Sequence, residues 1–277
     1  MKAPHYPLEG AISWNMNTTC NYRCGYCTQR FVDDRRKWAR DLPLFLDAFL
    51  ALPGDWEIKL SGGEPFRHPD FLGAVSALSA GGRRVSVVTN FSSSKAQLQG
   101  FADATKSHPG LLSASLHLEY VDADEFLEKV LWFSAYYAGR VCVTCVATRD
   151  NLPGLALIKQ KYESVGVTFK VQPEKENRDV IAYSPSEKEA LLALGGHNLT
   201  GTIAPSFLGH PCWAGARYFI VDHLGAAWRC YPARRYRKEY MGNLLDGSFR
   251  LRMEPRPCPY QYCNCTVPQH RGMMSME

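Results

Sequence analysis

Three thiols stand at x3 and x2 spacing in Cys20-Asn21-Tyr22-Arg23-Cys24-Gly25-Tyr26-Cys27. A short polar loop can bring all three to one inorganic cluster without regular secondary structure between them, so cluster or metal ligation is the first chemistry to consider. Two blander readings stand beside it. One is a structural zinc knuckle short of its fourth ligand; the other is ordinary buried thiols, since cysteine is among the most buried residue types. A second set, Cys212, Cys230, Cys258, Cys263 and Cys265, lies in the C-terminal third. The remaining pair, Cys142 and Cys145, sits on a strand-like run where residues three apart face opposite sides, and reads as packing. The other cysteines thus fall into two clusters, which in a reducing compartment marks metal ligands rather than disulfides.

The elements that position these residues follow from periodicity. Ala11 to Met16 alternates at period two, and the first cysteine loop leaves the carboxyl end of that strand. Residues 41–52 have an N-cap candidate in Asp41 and helical apolar spacing. Further strands are expected at Trp56–Leu60, Val85–Asn90, Leu112–Leu118, Val141–Ala147 and Val167–Val171. Helices are expected near 69–80, 93–104, 122–138 and 152–164. Gly62-Gly63-Glu64-Pro65 closes the second strand, at the end where parallel α/β folds collect ligands. Asn90 ends the third strand, and Ser115, His117 and Glu119 share one face of the fourth. This βα rhythm implies a parallel sheet with right-handed crossovers; periodicity alone leaves a partial barrel and a flat doubly wound sheet both open. Beyond Gln172-Pro173 the pattern turns polar. A helix at 185–194 ended by Gly195-Gly196 bridges to a second module with a hairpin, Arg217–Asp222 and Ala226–Cys230.

Composition narrows the class. The chain has 277 residues, 45% of them apolar, enough for a sizeable core, and a formal charge of +5. It contains no apolar run of the length a membrane helix needs, and Met1-Lys2-Ala3-Pro4-His5-Tyr6-Pro7 lacks a signal-peptide core, so a cytoplasmic enzyme without membrane contact is expected. The basic runs Arg35-Arg36-Lys37 and Arg234-Arg235-Tyr236-Arg237-Lys238 read as solvated faces, or otherwise as sites for an acidic partner, phosphate or nucleic acid. No nucleic-acid module is readable.

The CxxxCxxC loop followed by Gly-Gly-Glu-Pro on the next strand resembles the radical S-adenosylmethionine (SAM) superfamily. That resemblance selects the partial (β/α)6 TIM-like barrel for residues 1–183. It implies that Cys20, Cys24 and Cys27 hold a [4Fe–4S] cluster whose fourth iron binds the methionine moiety of SAM. Gly62 and Gly63 would expose backbone groups, Glu64 would meet the ammonium, and Tyr26 would lie by the adenine. Ser115 and Arg149 would touch the SAM ribose and carboxylate, with Asn90 in the same interior. His117 reads either as a substrate-facing acid or base, given an unperturbed pKa near neutrality, or as a hydrogen-bonded core histidine.

The segment Cys212-x12-Gly225-x4-Cys230 resembles the opening of the twitch and SPASM modules that carry auxiliary clusters, which makes residues 184–277 the bridging helix and such a module. The resemblance implies one auxiliary [4Fe–4S] cluster, with Cys212 and Cys230 as its first ligands. Two of Cys258, Cys263 and Cys265 would complete it, Cys258 and Cys263 favoured; a four-cysteine zinc ribbon is the alternative. The activity implied is that of a radical SAM oxidoreductase: reductive cleavage of SAM, hydrogen abstraction from a substrate carbon, and two-electron oxidation of a small metabolite. An electron donor such as flavodoxin or ferredoxin is the expected partner. Modification of a ribosomal peptide is the second reading, set back by the nine residues that precede the first strand, too few for a peptide-recognition domain. A non-catalytic Fe–S or zinc protein, or an RNA binder, is the third.

Overall fold

A computed structural model describes residues 10–176, 179–195, 206–261 and 267–274. Its core is a βα series: β1 Gly10–Asn17, α1 Arg35–Leu50, β2 Trp56–Gly62, α2 Phe71–Ala80, β3 Arg84–Thr89, α3 Lys95–Ala104, β4 Pro109–Leu116, α4 Ala123–Ser134, β5 Arg140–Ala147, α5 Leu155–Ser164 and β6 Thr168–Pro173. A two-residue ribbon follows, β7 Lys175–Glu176 with β8 Asp179–Val180, then α6 Pro185–Ala193. The C-terminal part contributes β9 Pro211–Cys212, β10 Tyr218–Val221, β11 Ala226–Trp228, α7 Tyr231–Arg235, β12 Tyr240–Asn243, β13 Arg256–Pro257 and α8 Val267–His270.

One nine-stranded sheet runs β12-β11-β10-β1-β2-β3-β4-β5-β6. Strands β1 to β6 are parallel in chain order, and β10 joins parallel to β1, with Ala11 opposite Tyr218 and Trp14 opposite Val221. Alternation along the strands separates two environments. Ile58, Leu60, Val85, Val87, Leu112, Ala114, Val143, Phe169 and Val171 pack with the helices in the main core. The intervening positions carry Ser13, Asn15, Glu57, Lys59, Ser86, Ser113, Ser115, Thr144, Lys170 and Gln172, a polar inner face. β10 divides its side chains the same way, Phe219 and Val221 to the main core, Tyr218 and Ile220 to a second apolar cluster.

Helix α4 ends at Ser134, four residues before the expected 138, and two further differences bear on the site. Helix α1 begins six residues before Asp41, at Arg35, with Asp34 as its N-cap and Asp41 buried inside it beside Arg40. The buried stripe Trp38, Leu42, Phe45 and Phe49 explains the difference. Pro43 costs the helix about 3 kcal/mol, whereas burying four such side chains contributes roughly 1.5–3 kcal/mol each, so the helix runs through the proline. β4 ends at Leu116, two residues early, because Tyr120 and Val121 turn back to donate to the His117 carbonyl. His117 and Glu119 therefore stand in the loop beyond β4 rather than in a row with Ser115 on it.

Candidate active site

The first cysteine loop is held where β1 and β2 run out of the sheet. Gly63 N donates to the Asn17 carbonyl at 3.0 Å and Glu64 N to the Thr19 carbonyl at 2.7 Å. Asn17 Nδ2 donates to the Glu64 carbonyl at 2.9 Å, while its Oδ1 accepts from Gly63 N at 3.1 Å. Only glycine allows this approach: a Cβ on Gly63 would lie 2.0 Å from the Thr19 oxygen, and one on Gly62 2.3 Å from the Asn17 oxygen. Gly62 also has φ +140°, which side chains rarely adopt.

From there the loop lies across the ends of β3 and β4. Cys20 Sγ accepts from Tyr22 N at 3.3 Å and from Asn90 Nδ2 at 3.7 Å. Asn90 Nδ2 also donates to Asn21 Oδ1 at 3.0 Å, and Asn21 Nδ2 to Ser92 Oγ at 3.0 Å. Cys24 Sγ lies 3.3 Å from His117 Nδ1, the same nitrogen that stands 2.7 Å from the Tyr26 hydroxyl. Glu119 accepts from Gly25 N at 3.3 Å, and the Tyr120 hydroxyl from Arg23 N at 2.6 Å while its ring stacks on Tyr22 at 4.0 Å.

Electrostatics bear on what the thiols can hold. Burial raises the Cys20 thiol and pushes Cys24 up to about 11, and each thiol is raised further by its neighbours, Glu119 among them at Cys24. Thiols that resist ionisation together are the ligands that a positively charged iron or zinc centre deprotonates. Among the described residues, no three Cys, His, Asp or Glu side chains gather closely enough for a single metal ion. The three thiols influence one another and offer the sulfur donors that an iron–sulfur cluster takes. Burial lowers His117 to about 4, so it is neutral at pH 7. The Tyr26 phenol is raised, chiefly by burial.

Glu64 is enclosed behind the loop, where its charge still acts on Cys20 and Tyr22. Its carboxylate is 1% exposed and accepts from Thr89 Oγ1 at 2.7 Å, Asn90 N at 2.7 Å and Phe66 N at 3.2 Å. Burial raises its pKa to about 7, against the pull of these donors. Ser115 stays on the inner face, 3.4 Å from Thr144 Oγ1. Arg149 lies past β5, donating to the Ala182 carbonyl at 2.6 Å and standing 3.7 Å from Glu187. An open cleft of about 1300 Å³ is bordered by Tyr26, Cys27, Glu119, Arg149, Glu174 and Lys175.

Several supporting residues escape sequence reasoning. Lys129 on α4 donates to the Phe91 and Ser93 carbonyls at 2.7 Å each. It clamps a turn in which Phe91, fully buried, has φ +58°. That turn carries Asn90 and Ser92 to the cysteine loop. Asn17 had a readable signal, the last polar position of the β1 alternation; Lys129 had none, being one more charge on an amphipathic helix.

In the C-terminal part, Cys212, Cys230 and Cys258 come from three separate segments into one buried apolar cluster with Tyr218, Ile220, Tyr260 and Met273. Beside them the side chain of Arg229, 2% exposed, bonds the carbonyls of Ala214, Cys212, Arg256 and Pro257 and the carboxylate of Glu239. Cys263 and Cys265 lie outside the described residues.

The Radical SAM superfamily model matches residues 14–159, just over half of the chain. GTP 3',8-cyclase of Synechococcus elongatus is 32% identical over 119 residues, 40% of this chain and 35% of that protein. Among solved structures, Streptococcus suis SuiB is similar with a TM-score of 0.58 at 15% identity, covering 87% of this chain and 66% of its own. The anSMEcpe structure with bound AdoMet gives 0.57 at 13% identity, covering 86% of this chain and 75% of its own. This chain thus spans about a third of the cyclase and just under two thirds of SuiB. The structural likeness, at such low identity, is one of fold; the sequence match over the cysteine loop, the Gly-Gly-Glu-Pro turn and most of the βα series is one of family. The chain belongs to the radical SAM superfamily.

Proposed function

We propose that this protein cleaves SAM reductively and abstracts hydrogen from a substrate carbon, with Cys20, Cys24 and Cys27 holding the cluster. The supporting observation is that these three thiols share one loop held at the carboxyl ends of the parallel strands, Cys20 against Asn90 and Cys24 against His117, with Cys27 at the border of the 1300 Å³ cleft. When bound, the cluster supplies the electron that breaks the S–C5′ bond of SAM, after which a hydrogen atom is taken from the substrate. The protein's own residues hold and orient. Gly62 and Gly63, lacking side chains, leave backbone open beside the loop, and Tyr26, fixed by His117, presents a ring edge to the cleft for the adenine. Ser115, Asn90 and Arg149 offer polar groups to SAM from three directions. Glu64, its carboxylate enclosed, serves by fixing Asn90 and Thr89. His117 contributes by holding Cys24 and Tyr26.

For the C-terminal module the reading is one auxiliary cluster on Cys212, Cys230 and Cys258 with one of Cys263 and Cys265. The three buried cysteines support it. A substrate losing one hydrogen atom and then one electron is oxidised by two electrons, which fits a small metabolite. A peptide substrate is favoured by a different observation. The cleft exceeds the roughly 300–1,000 Å³ of ordinary small-molecule sites and is open, and SuiB has been seen with its precursor peptide SuiA.

The test is anaerobic incubation of the reconstituted protein with SAM, dithionite and deuterated candidate substrates. Deuterium in 5′-deoxyadenosine and a product two hydrogens lighter would support oxidation of a small molecule. Transfer only from a peptide would select the second reading, and absence of deoxyadenosine with every reductant would refute both.

A further inference from the structure

The cleft beside the first cysteine loop has a charge opposite in sign to that of the chain. The chain carries a formal charge of +5. The cleft is lined by four carboxylates, Glu119, Asp150, Glu174 and Glu176, against two cations, Arg149 and Lys175. Arg149 is shared with Glu187, a carboxylate outside that lining, and donates to the Ala182 carbonyl. The carboxylates come from three places: Glu119 from the loop beyond β4, Asp150 from the loop beyond β5, and Glu174 and Glu176 from the segment leaving β6. Glu174 and Glu176, two residues apart in extended chain, share one face.

These groups act on one another. Burial raises the Glu174 carboxyl, Arg149 pulls it down, and Asp150, Glu176 and Glu119 each push it up. Gly25 N fixes Glu119 at the cysteine loop. Like charges set together in this way disfavour one another unless a cation stands among them. They do not close on a bare metal ion: among the described residues, no three Cys, His, Asp or Glu side chains gather for one. Carboxylates spaced around an open cleft suit instead an organic cation that fills the space between them.

An independent feature of the same wall asks for the same chemistry. Asn151, which also lines the cleft, donates from Nδ2 to the Val146 carbonyl at 2.9 Å. A carbonyl only accepts, so the amide nitrogen must face it and Oδ1 must point away. That oxygen is enclosed and has no donor among the described residues. Buried acceptors are normally satisfied, and a ligand N–H is the partner this one lacks. An anionic ligand would meet the carboxylates and offer Asn151 nothing.

We propose that the substrate enters this cleft by a protonated amine, held by Glu119, Asp150, Glu174 and Glu176 and by Oδ1 of Asn151. The preference of the cleft for such a cation stands on its lining; that the amine belongs to the molecule losing hydrogen rests on the function proposed above. Tyr26 and Cys27 border the same cleft, so a chain anchored by its amine lies alongside the cysteine loop. A lysine side chain and a free alkyl amine share this chemistry.

The experiment is calorimetric titration of the full, reconstituted chain in the presence of SAM and without reductant. The probes are acetyl-Gly-Lys-Gly-amide, its norleucine and glutamate counterparts, and cadaverine. The tighter of the two cationic probes should bind at least about fivefold more tightly than the norleucine and glutamate peptides at low ionic strength. That preference should shrink as ionic strength rises from about 0.01 M to about 0.15 M. E174Q/E176Q should weaken cation binding about fivefold or more and D150N by less, while SAM affinity by equilibrium dialysis holds. Asn151→Leu should weaken it without changing its dependence on ionic strength. Binding of the lysine peptide alone would assign a peptide, and comparable or tighter binding of cadaverine a small amine. The proposal is overturned if both cationic probes fail to bind, if neither exceeds the norleucine and glutamate peptides, or if E174Q/E176Q binds like wild type. Deoxyadenosine formation is assayed on the same samples after adding dithionite. Deoxyadenosine without the charge preference sinks this proposal alone; its absence with every reductant sinks the functional reading, and the titration still decides what the cleft binds.

Discussion

The two cysteine groups are built on opposite plans. Cys20, Cys24 and Cys27 share one loop of eight residues and are half-buried to exposed, with Cys27 at the border of a cleft. Cys212, Cys230 and Cys258 are brought together from segments far apart in sequence and are buried in an apolar cluster. A loop anchored at its ends can present thiols to a ligand that must enter and leave. Thiols gathered by tertiary packing instead suit the closed centre proposed for them, whose ligands would be fixed by the fold. The same element supports different outcomes because of what surrounds it: polar side chains and an open cleft in one case, Tyr218, Tyr260 and Met273 in the other.

The comparison can be broken most forcefully at Arg229. Its five bonds tie four carbonyls and one carboxylate around the second group, so Arg229→Met leaves buried acceptors without donors. We expect a loss of about 3–5 kcal/mol in the stability of the C-terminal module, read by denaturant unfolding, and loss of whatever metal the module holds. Thiols of the first loop should remain able to assemble iron. A smaller effect is expected at the turn beneath that loop. Gly63→Ala would force a Cβ against the Thr19 carbonyl, at a cost of about 1–3 kcal/mol, and displace the loop; SAM affinity by equilibrium dialysis should fall while the C-terminal iron content holds.

Lys129→Met sharpens the comparison by attacking the first loop from a distance. It removes two charge-assisted bonds to carbonyls, each worth up to about 1.5–3 kcal/mol when buried and less at this half-buried site, and leaves the main core intact. Hydrogen exchange should rise at Asn90 to Ser93 and in the cysteine loop, and not in the C-terminal module. The smallest effect is a dependence on pH. Burial holds His68, packed on Trp38, at about 4, below its ordinary 6.5. The unfolded chain then binds more protons between those values, so this contribution to stability is present above pH 6.5 and is lost as pH falls toward 4. The drop in melting temperature from pH 7 to pH 5 should be smaller in His68→Phe than in wild type; an equal drop would assign the effect elsewhere.

Sequence carries the local part of this architecture well. Alternation in β1 and the apolar runs of β2 to β6 reveal the strands, and the Gly62-Gly63 pair reveals a close backbone approach, because these depend on neighbours in the chain. Helix α1 was readable only through its Trp38, Leu42, Phe45, Phe49 stripe; the proline and an attractive cap residue at Asp41 point to a later start. What local pattern cannot carry is partnership. Nothing in Tyr218 to Val221 says that this short strand pairs with β1, and nothing in Lys129 says that it clamps the turn after β3. The place of His117 against Cys24 and Tyr26 depends on where β4 stops, a matter of two residues decided by a turn.

On the function proposed above, the two cysteine groups hold separate centres, of which only the first cleaves SAM. Mössbauer spectroscopy with iron counting on the reconstituted wild type and on the Cys20/Cys24/Cys27→Ala variant tests it most directly, with 5′-deoxyadenosine assayed on the same samples. The account predicts about eight irons in wild type, as two four-iron clusters, and about four in the variant, which makes no deoxyadenosine. A variant that still cleaves SAM, or a wild type with about four irons and one zinc, would contradict it.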